Sequence, residues 1–87
     1  MAWQIEVSDG ARNQIKKLDP PVARRIVAFL HKRLALLDDP RSLGVALQAK
    51  DKLWRYRVGD FRIVCSLEDD RLVIVVLKVG HRRDVYR

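Results

Sequence analysis

Hydrophobic and polar positions alternate over the last third of the chain. In the segment LWRYRVGDFRIVC, apolar and basic residues alternate as far as a Gly-Asp pair, and the alternation resumes after this pair. A period of two puts successive side chains on opposite faces of a sheet, and a turn at Gly59 and Asp60 joins two strands as a hairpin. The pattern therefore predicts antiparallel strands at about 53–58 and 61–67, followed by a third at about 71–79.

The predicted hairpin has an apolar face and a cationic face. The apolar face carries the aromatic residues, and the other face, called the arginine face below, carries Arg55, Arg57 and Arg62. In this register Arg57 lies directly across from Arg62. Like charges opposed on a sheet weaken it by a few tenths of a kcal/mol to about 1 kcal/mol. Because folding alone does not favour this arrangement, we expect an anionic ligand there.

The segment LVIVVLKV is apolar at nearly every position, which is typical of a central strand. A tight turn at 68–71 pairs Leu77 of this strand with Arg62. The arginine face then has an apolar floor made of Val73, Val75 and Val79. Residues 46–48 are compatible with one more short strand.

The first half of the chain predicts a strand and two helices. Residues 2–7 alternate, Ser8 favours a helix start, and Asp19-Pro20-Pro21 starts a second helix, since proline is tolerated in a first turn. Apolar residues recur at helical spacing from 22 to 37, and Asp38-Asp39-Pro40 ends that helix. We predict an α+β fold: an N-terminal strand, a helical hairpin and a three- to four-stranded antiparallel meander, with the helices on the apolar face. The basic residues off the helical stripe are expected to be a solvated face: Arg24, Arg25, Lys32 and Arg33.

Composition narrows the function. The chain has 87 residues, which predicts a single domain over 1–87, and 18 Lys+Arg against 11 Asp+Glu give a net charge of +7. This charge suits binding to nucleic acid, although it is also common in small soluble proteins. Cys65 is the one cysteine and is expected to be buried, and with only two histidines no metal site and no cofactor is expected. The absence of a long apolar run and of a signal peptide predicts a cytoplasmic protein without a membrane partner.

The segments YRVGDFRIVC and VGHRRDVYR, with the helical hairpin before them, resemble the RelE toxins of bacterial type II toxin–antitoxin systems, within the RelE/ParE superfamily. The resemblance covers essentially the whole chain. It implies a ribosome-dependent, metal-independent endoribonuclease, or mRNA interferase, that cleaves mRNA in the decoding site and arrests growth. It also implies a cognate antitoxin that wraps around the toxin. The partners expected are therefore this antitoxin, the ribosome and mRNA.

By motif position, the resemblance implies site residues on the strand before the Gly turn, just after that turn, after the last strand and near the C-terminus. These are Arg55 and Arg57 as substrate-binding residues, and Arg62, Arg82 and Tyr86 as catalytic residues. His81 is a further catalytic candidate because histidine titrates nearest neutral pH. It follows Gly80 directly and is expected near Arg62 if strand parity persists.

Metal-free RNA cleavage by the 2′-OH suits these residue types. The reaction needs a proton acceptor, a donor to the leaving 5′ oxygen, and cations around the charge that develops on the phosphate. Arginine forks hold phosphate oxygens bidentately and stay charged, so Arg57, Arg62 and Arg82 are assigned to the phosphate. A guanidinium cannot act as a base at neutral pH. The general acid and base are therefore left open between His81 and Tyr86.

Three alternatives remain at this stage. A ParE-like relative keeps the fold and inhibits DNA gyrase, a non-catalytic module uses the same basic face to bind RNA or an antitoxin, and a degenerate toxin retains antitoxin binding only. The combination of Arg62, Arg82, His81 and Tyr86 favours the nuclease. The sequence does not indicate codon preference or the identity of the antitoxin.

Overall fold

A computed structural model describes residues 2–47 and 53–83 of the chain. The elements in chain order are β1 (Gln4–Val7), α1 (Asp9–Lys16), α2 (Pro20–Lys32), two 3₁₀ turns (Leu34–Leu36 and Pro40–Leu43), β2 (Val45–Ala46), β3 (Leu53–Val58), β4 (Phe61–Glu68) and β5 (Val73–His81). The predicted α+β class and order of elements are confirmed.

The strands form a single five-stranded sheet in the order β1-β5-β4-β3-β2. The C-terminal meander is antiparallel, as predicted, and β2 pairs with β3 through Val45 and Ala46. The N-terminal strand adds to the meander because β1 runs parallel to β5, with Ile5 across from Ile74. The sheet is therefore mixed: the meander has four strands, as predicted, and the predicted N-terminal strand joins it as the fifth. β5 is a central strand, as its apolar sequence predicted.

The helices begin as predicted, but α2 ends early. Ser8 caps α1, since its hydroxyl accepts a hydrogen bond from the amide of Ala11 at 3.1 Å. α2 ends at Lys32 rather than near residue 37, because Arg33 leaves the helical conformation with φ of −125°. The turn that follows places Leu34 in the core, and the amide of Trp3 donates to the carbonyl of Ala35 at 2.8 Å. Contacts with the N-terminal segment thus override the helical periodicity of this stretch.

The core lies between the helical pair and one face of the sheet, as the alternation predicted. It is built from fully buried residues, which include Ile26, Leu30, Leu34, Tyr56, Ile63, Cys65, Leu67 and Ile74. Burial raises the pKa of the Cys65 thiol to about 12. The predicted burial of Cys65 is confirmed, and a thiol with so high a pKa is a poor nucleophile at neutral pH.

Tyr56 connects the sheet to the turn that precedes β2. Its hydroxyl donates to the carbonyl of Pro40 at 3.0 Å, and burial raises its pKa. A Cβ atom on Gly44 would lie 2.9 Å from the Tyr56 ring, so this close approach requires glycine. Next to this contact, Arg41 forms ion pairs with Asp39 and Asp69. The ion pair with Asp69 holds the β4–β5 turn to the second 3₁₀ turn.

Candidate functional site

The face of the sheet that points away from the helices carries two adjacent rows of residues at the hairpin end. In the first row Arg57 lies across from Arg62, which lies across from Gly80. In the second row Arg55 lies across from Val64, which lies across from Lys78. The predicted pairing of Arg57 with Arg62 is confirmed. Among the described residues, the hairpin end of the arginine face thus carries four cationic side chains, those of Arg55, Arg57, Arg62 and Lys78.

The two opposed arginines are not neutralised by neighbouring carboxylates. The Nε of Arg57 donates to the carbonyl of Gly59 at 3.1 Å, and the Nη1 of Arg62 donates to the carbonyl of Phe61 at 3.4 Å. Within residues 2–47 and 53–83, neither guanidinium has a carboxylate within ion-pair distance. Both hydrogen bonds use backbone carbonyls of the hairpin. The charges therefore remain available to an anion.

The other end of the same face carries two carboxylates. Glu68 lies across from Val73, and Glu6 of β1 is paired with Arg71 at 3.5 Å. Glu68 is six positions after Arg62 on β4, which corresponds to about 20 Å along a strand. The cationic groups are thus concentrated at the hairpin end, and an anion bound there is well separated from these carboxylates.

A β-bulge in β5 decides which residues share the arginine face. Val64 pairs with Lys78, but the next residue, Cys65, pairs with Val76, so Leu77 is an extra residue. The expected pairing of Leu77 with Arg62 is wrong, and Gly80 takes that place. The bulge accounts for one residue of this shift, and the other two come from the β4–β5 turn, which is not the expected tight turn because Glu68 pairs with Val73. An extra residue in one strand shifts the register and reverses the faces beyond it.

The bulge also corrects the predicted apolar floor. Val73 and Val75 lie across from Glu68 and Ser66 and share the arginine face as expected. Val79 instead lies across from Ile63 and is buried in the core.

Two side chains of the N-terminal half hold the bulge. The hydroxyl of Ser8 donates to the carbonyl of Leu77 at 3.3 Å, and the side-chain carbonyl of Gln14 accepts from the amide of Val79 at 2.7 Å. These two hydrogen bonds satisfy backbone groups that the bulge leaves without a partner in the neighbouring strand.

Lys78 is the residue of this face that sequence reasoning missed. A strict alternation with Leu77 across from Arg62 turns Lys78 towards the helices, whereas the bulge turns it outwards. It is half-buried and has no carboxylate partner within the described part of the chain. The signal in the sequence was a single lysine inside an otherwise apolar strand, where burial is unfavourable.

His81 does not lie beside Arg62, because the same bulge reverses its side. It pairs with Phe61, and the two rings meet edge to face with centroids 5.6 Å apart. The Nδ1 of His81 accepts a hydrogen bond from the amide of Arg83 at 3.3 Å. The structure therefore places this imidazole on the opposite face from Arg62, where it packs on the hairpin and supports the turn after β5.

Arg82 lies next to the hairpin turn. Its amide donates to the carbonyl of Asp60 at 2.9 Å, and its side chain is exposed. This bond connects the end of β5 to the β3–β4 turn, at the cationic end of the sheet. Tyr86, the remaining predicted site residue, lies outside the described residues. Over the ranges 2–47 and 53–83, no cluster of His, Cys, Asp and Glu is arranged to hold a metal ion.

Comparison with known proteins places this geometry in a family. Residues 5–86 match the family described as ParE toxin of type II toxin–antitoxin system, parDE. The chain belongs to this family. It is also similar to Toxin RelG of Mycobacterium tuberculosis, with 27% identity over 88 residues that cover 100% of the chain and 99% of the relative.

Solved structures of RelE proteins share the fold of this toxin. The M. tuberculosis toxin–antitoxin complex RelBE2 matches with a TM-score of 0.84 and 24% identity, covering 97% of this chain and 95% of the other. The archaeal RelE–RelB complex of Pyrococcus horikoshii matches with a TM-score of 0.78 and 24% identity, covering 98% and 100%. The isolated Escherichia coli RelE toxin matches with a TM-score of 0.74 and 20% identity, covering 98% and 92%. The chain is thus a RelE/ParE-type toxin of a type II toxin–antitoxin system with a RelE-like fold.

Neither helix of the described residues is long and apolar enough to span a membrane.

Proposed function

We propose that this toxin is a ribosome-dependent endoribonuclease that cleaves mRNA during translation. The observation that carries the proposal is the opposed pair Arg57 and Arg62, which has no carboxylate partner within the described residues. An arrangement that opposes folding is explained if a phosphate sits between the two side chains. The scissile phosphate of mRNA is the anion that fits the RelE-like fold and the net charge of +7.

The nucleophile is the ribose 2′-OH next to the scissile phosphate. Its attack forms a bond to phosphorus, releases the hydroxyl proton to a water molecule, and breaks the bond between phosphorus and the 5′ oxygen of the next nucleotide. The products are a 2′,3′-cyclic phosphate and a 5′-hydroxyl, so no metal and no covalent enzyme intermediate are needed. Arg62 and Arg57 stabilise the charge that develops on the phosphate oxygens, because guanidinium forks bind such oxygens in pairs. Arg82, next to the hairpin turn, approaches the same phosphate from the end of the sheet. Arg55, one row further along the sheet, binds the neighbouring backbone.

Lys78 is the proton donor that we assign to the leaving 5′ oxygen. It lies diagonally across from Arg62 and beside Gly80 in the strand. Diagonal neighbours on a sheet are about 7–8 Å apart at Cα, which a lysine side chain can span. Unlike an arginine guanidinium, which stays charged, a lysine ammonium can transfer a proton. Tyr86 positions the RNA by stacking on a base.

The assignment leaves the arginine face without an imidazole or a carboxylate close to Arg62, and this favours dependence on the ribosome. A site with cations but no evident base relies on its surroundings to orient the 2′-OH for in-line attack. The ribosome would supply that orientation by holding the mRNA. We therefore expect naked RNA to persist in the presence of the isolated toxin.

A cognate antitoxin is the second partner. The similar RelBE2 and P. horikoshii proteins were solved as toxin–antitoxin complexes. For this chain we propose an antitoxin with an acidic or amphipathic segment that covers the arginine face. Coupled folding allows such a segment to wrap a small domain, and the net positive charge attracts it.

Inhibition of DNA gyrase is the alternative function, and the match to a ParE family model favours it. A purified translation system with a defined mRNA separates the two, when RNA ends are mapped and gyrase supercoiling is assayed with the same protein preparation. Cuts within codons of translated mRNA with unimpaired supercoiling support the nuclease. Loss of supercoiling with intact mRNA supports the gyrase inhibitor. If neither activity appears, the non-catalytic or degenerate alternative is correct.

A further inference from the structure

A cleft with its own arginines lies on the helix side of the β3–β4 hairpin. Its volume is approximately 480 Å³, and it opens between α2 and the hairpin turn. The lining residues that matter here are Arg25, Phe29, Arg33, Leu43, Arg57 and Gly59. The sequence predicted that Arg25 and Arg33 belong to a solvated helix face together with Arg24 and Lys32. The structure separates them, because Arg24 and Lys32 line a different depression on α2.

Two guanidinium groups converge on Gly59 at the wall of this cleft. The Nη1 of Arg25 lies 3.2 Å from the position that a Cβ atom on Gly59 would take, and the Nε of Arg57 donates to the Gly59 carbonyl at 3.1 Å. Gly59 has φ of +59°, a conformation that glycine adopts without strain. Gly59 therefore allows the backbone conformation of the turn, and its lack of a side chain leaves room for the Arg25 guanidinium.

The charges in the cleft are not compensated. Arg25, Arg33 and Arg57 have no carboxylate within ion-pair distance among the residues that the structure describes. Asp60 is the nearest acidic neighbour in sequence and lines an adjoining depression with Arg25 and Arg57, but it forms no ion pair with either. Like charges gathered around one turn without a counter-charge favour an anionic ligand.

We propose that this cleft binds the phosphodiester backbone of RNA at a site separate from the scissile phosphate. Arg25 and Arg33 are eight residues apart, about 12 Å along the helix, so they can contact different phosphates of one strand. Phe29 lies half-buried between them and offers a ring on which a base can stack. Arg57 belongs both to the cleft and to the arginine face, so a strand bound at one can continue into the other. The choice of RNA as ligand rests on the proposed function.

α2 offers a matched control for this inference. The variant R25Q/R33Q removes the cleft charge on α2 and the one directly after its end, and R24Q/K32Q removes two charges one position earlier at each site. All four side chains are exposed, and glutamine keeps part of each stem, so both variants should fold and melt like the wild type. The probe is a short single-stranded RNA with 2′-O-methyl riboses, which cannot be cleaved by 2′-OH attack. Binding is measured by fluorescence anisotropy over a series of salt concentrations.

A plot of log affinity against log salt concentration has a negative slope, and each phosphate contact to a single strand contributes about 0.7 to its magnitude. If the cleft binds two phosphates, R25Q/R33Q therefore reduces the magnitude of this slope by about 1.4. The control R24Q/K32Q keeps the wild-type slope. Equal changes in both variants would reduce the cleft to general surface charge and overturn the inference. It is also overturned if R25Q/R33Q binds RNA normally but loses affinity for the antitoxin, which would assign the cleft to a protein partner. Because the probe is not cleaved, this experiment measures RNA binding alone. Failure of the proposed cleft can therefore be distinguished from failure of the proposed nuclease activity.

Discussion

At the scale of single residues, the opposition of Arg57 and Arg62 is the feature that links folding to function. The hairpin fixes their register, and the pairing keeps two positive charges side by side on an open face. A phosphate bound between them would turn a small folding penalty into binding energy. The free toxin should therefore be more stable without one of the charges, while its activity should fall.

We expect Arg62→Ala to abolish growth arrest and to leave the fold intact, with a free energy of unfolding equal to the wild type or higher by up to about 1 kcal/mol. Arg62→Lys should also be weak, because a lysine loses the fork that binds two oxygens. Inducible expression and urea unfolding measure the two effects. Arg24→Ala, with the same loss of charge on α2, is the control and should still arrest growth. A strong loss of stability in Arg62→Ala would mean that the residue acts in the fold.

His81 and Tyr86 provide a second test at this scale. Since the His81 ring packs on Phe61 and supports the turn that carries Arg82, His81→Ala should slow cleavage several-fold while the shape of the pH–rate profile on saturated ribosomes stays the same. If His81→Ala instead flattens one limb of the profile, the imidazole transfers a proton after all.

Tyr86→Phe should retain most activity and Tyr86→Ala should lose it, as expected for stacking. Equal loss in both tyrosine variants would assign proton transfer to the hydroxyl.

At the scale of elements, short sequence patterns correctly predicted the features that depend on neighbouring residues alone. The hairpin at Gly59, the starts of both helices and the apolar side of the sheet depend on alternation, capping and turn chemistry, which are visible in short stretches of sequence. The bulge at Leu77 is different, because its backbone groups are satisfied by Ser8 and Gln14 from the far end of the chain. No local pattern in LVIVVLKV indicates where the extra residue sits. As a consequence Lys78 was missed and His81 was placed on the wrong face.

Gln14 tests whether the bulge supports the site. In Gln14→Leu the amide of Val79 loses its partner, and leaving a buried donor unsatisfied costs about 1–3 kcal/mol. Thermal or urea unfolding measures this loss. Cleavage should fall as well, since the bulge sets the position of Lys78. Asn13→Leu changes the exposed neighbour and should alter stability by no more than about 0.5 kcal/mol. If the two variants behave alike, the bulge is maintained by the strands alone.

At the scale of the whole molecule, the fold indicates the protein family, whereas the charge distribution bears on the ligand. The RelE-like fold and the family place the chain among toxins of type II systems, but the same fold serves nucleases and gyrase inhibitors, so fold alone does not decide the activity. The uneven charge is the feature that favours the proposed nuclease. Cations gather at the hairpin end of the open face, and the carboxylates of Glu6 and Glu68 lie at the other end.

This charge distribution predicts a salt-sensitive complex with the antitoxin. Titration calorimetry of the toxin with its antitoxin should show affinity that decreases as salt rises, because attraction between an acidic segment and the arginine face is screened. Arg62→Ala should weaken the salt dependence, and Arg24→Ala should not. A tight complex with the same affinity at low and high salt would show that the interface is mainly hydrophobic.

The most direct measurement of the central claim is single-turnover cleavage of one mRNA by saturating toxin, with and without programmed ribosomes, for the wild type and Arg62→Ala. We predict that the wild type cuts the mRNA within codons only when ribosomes are present, that Arg62→Ala is slower by about 100-fold or more, and that the naked mRNA stays intact. Cleavage by Arg62→Ala at a rate near that of the wild type would contradict the assignment of the arginine face. Efficient digestion of naked mRNA by the purified wild type would contradict the dependence on the ribosome.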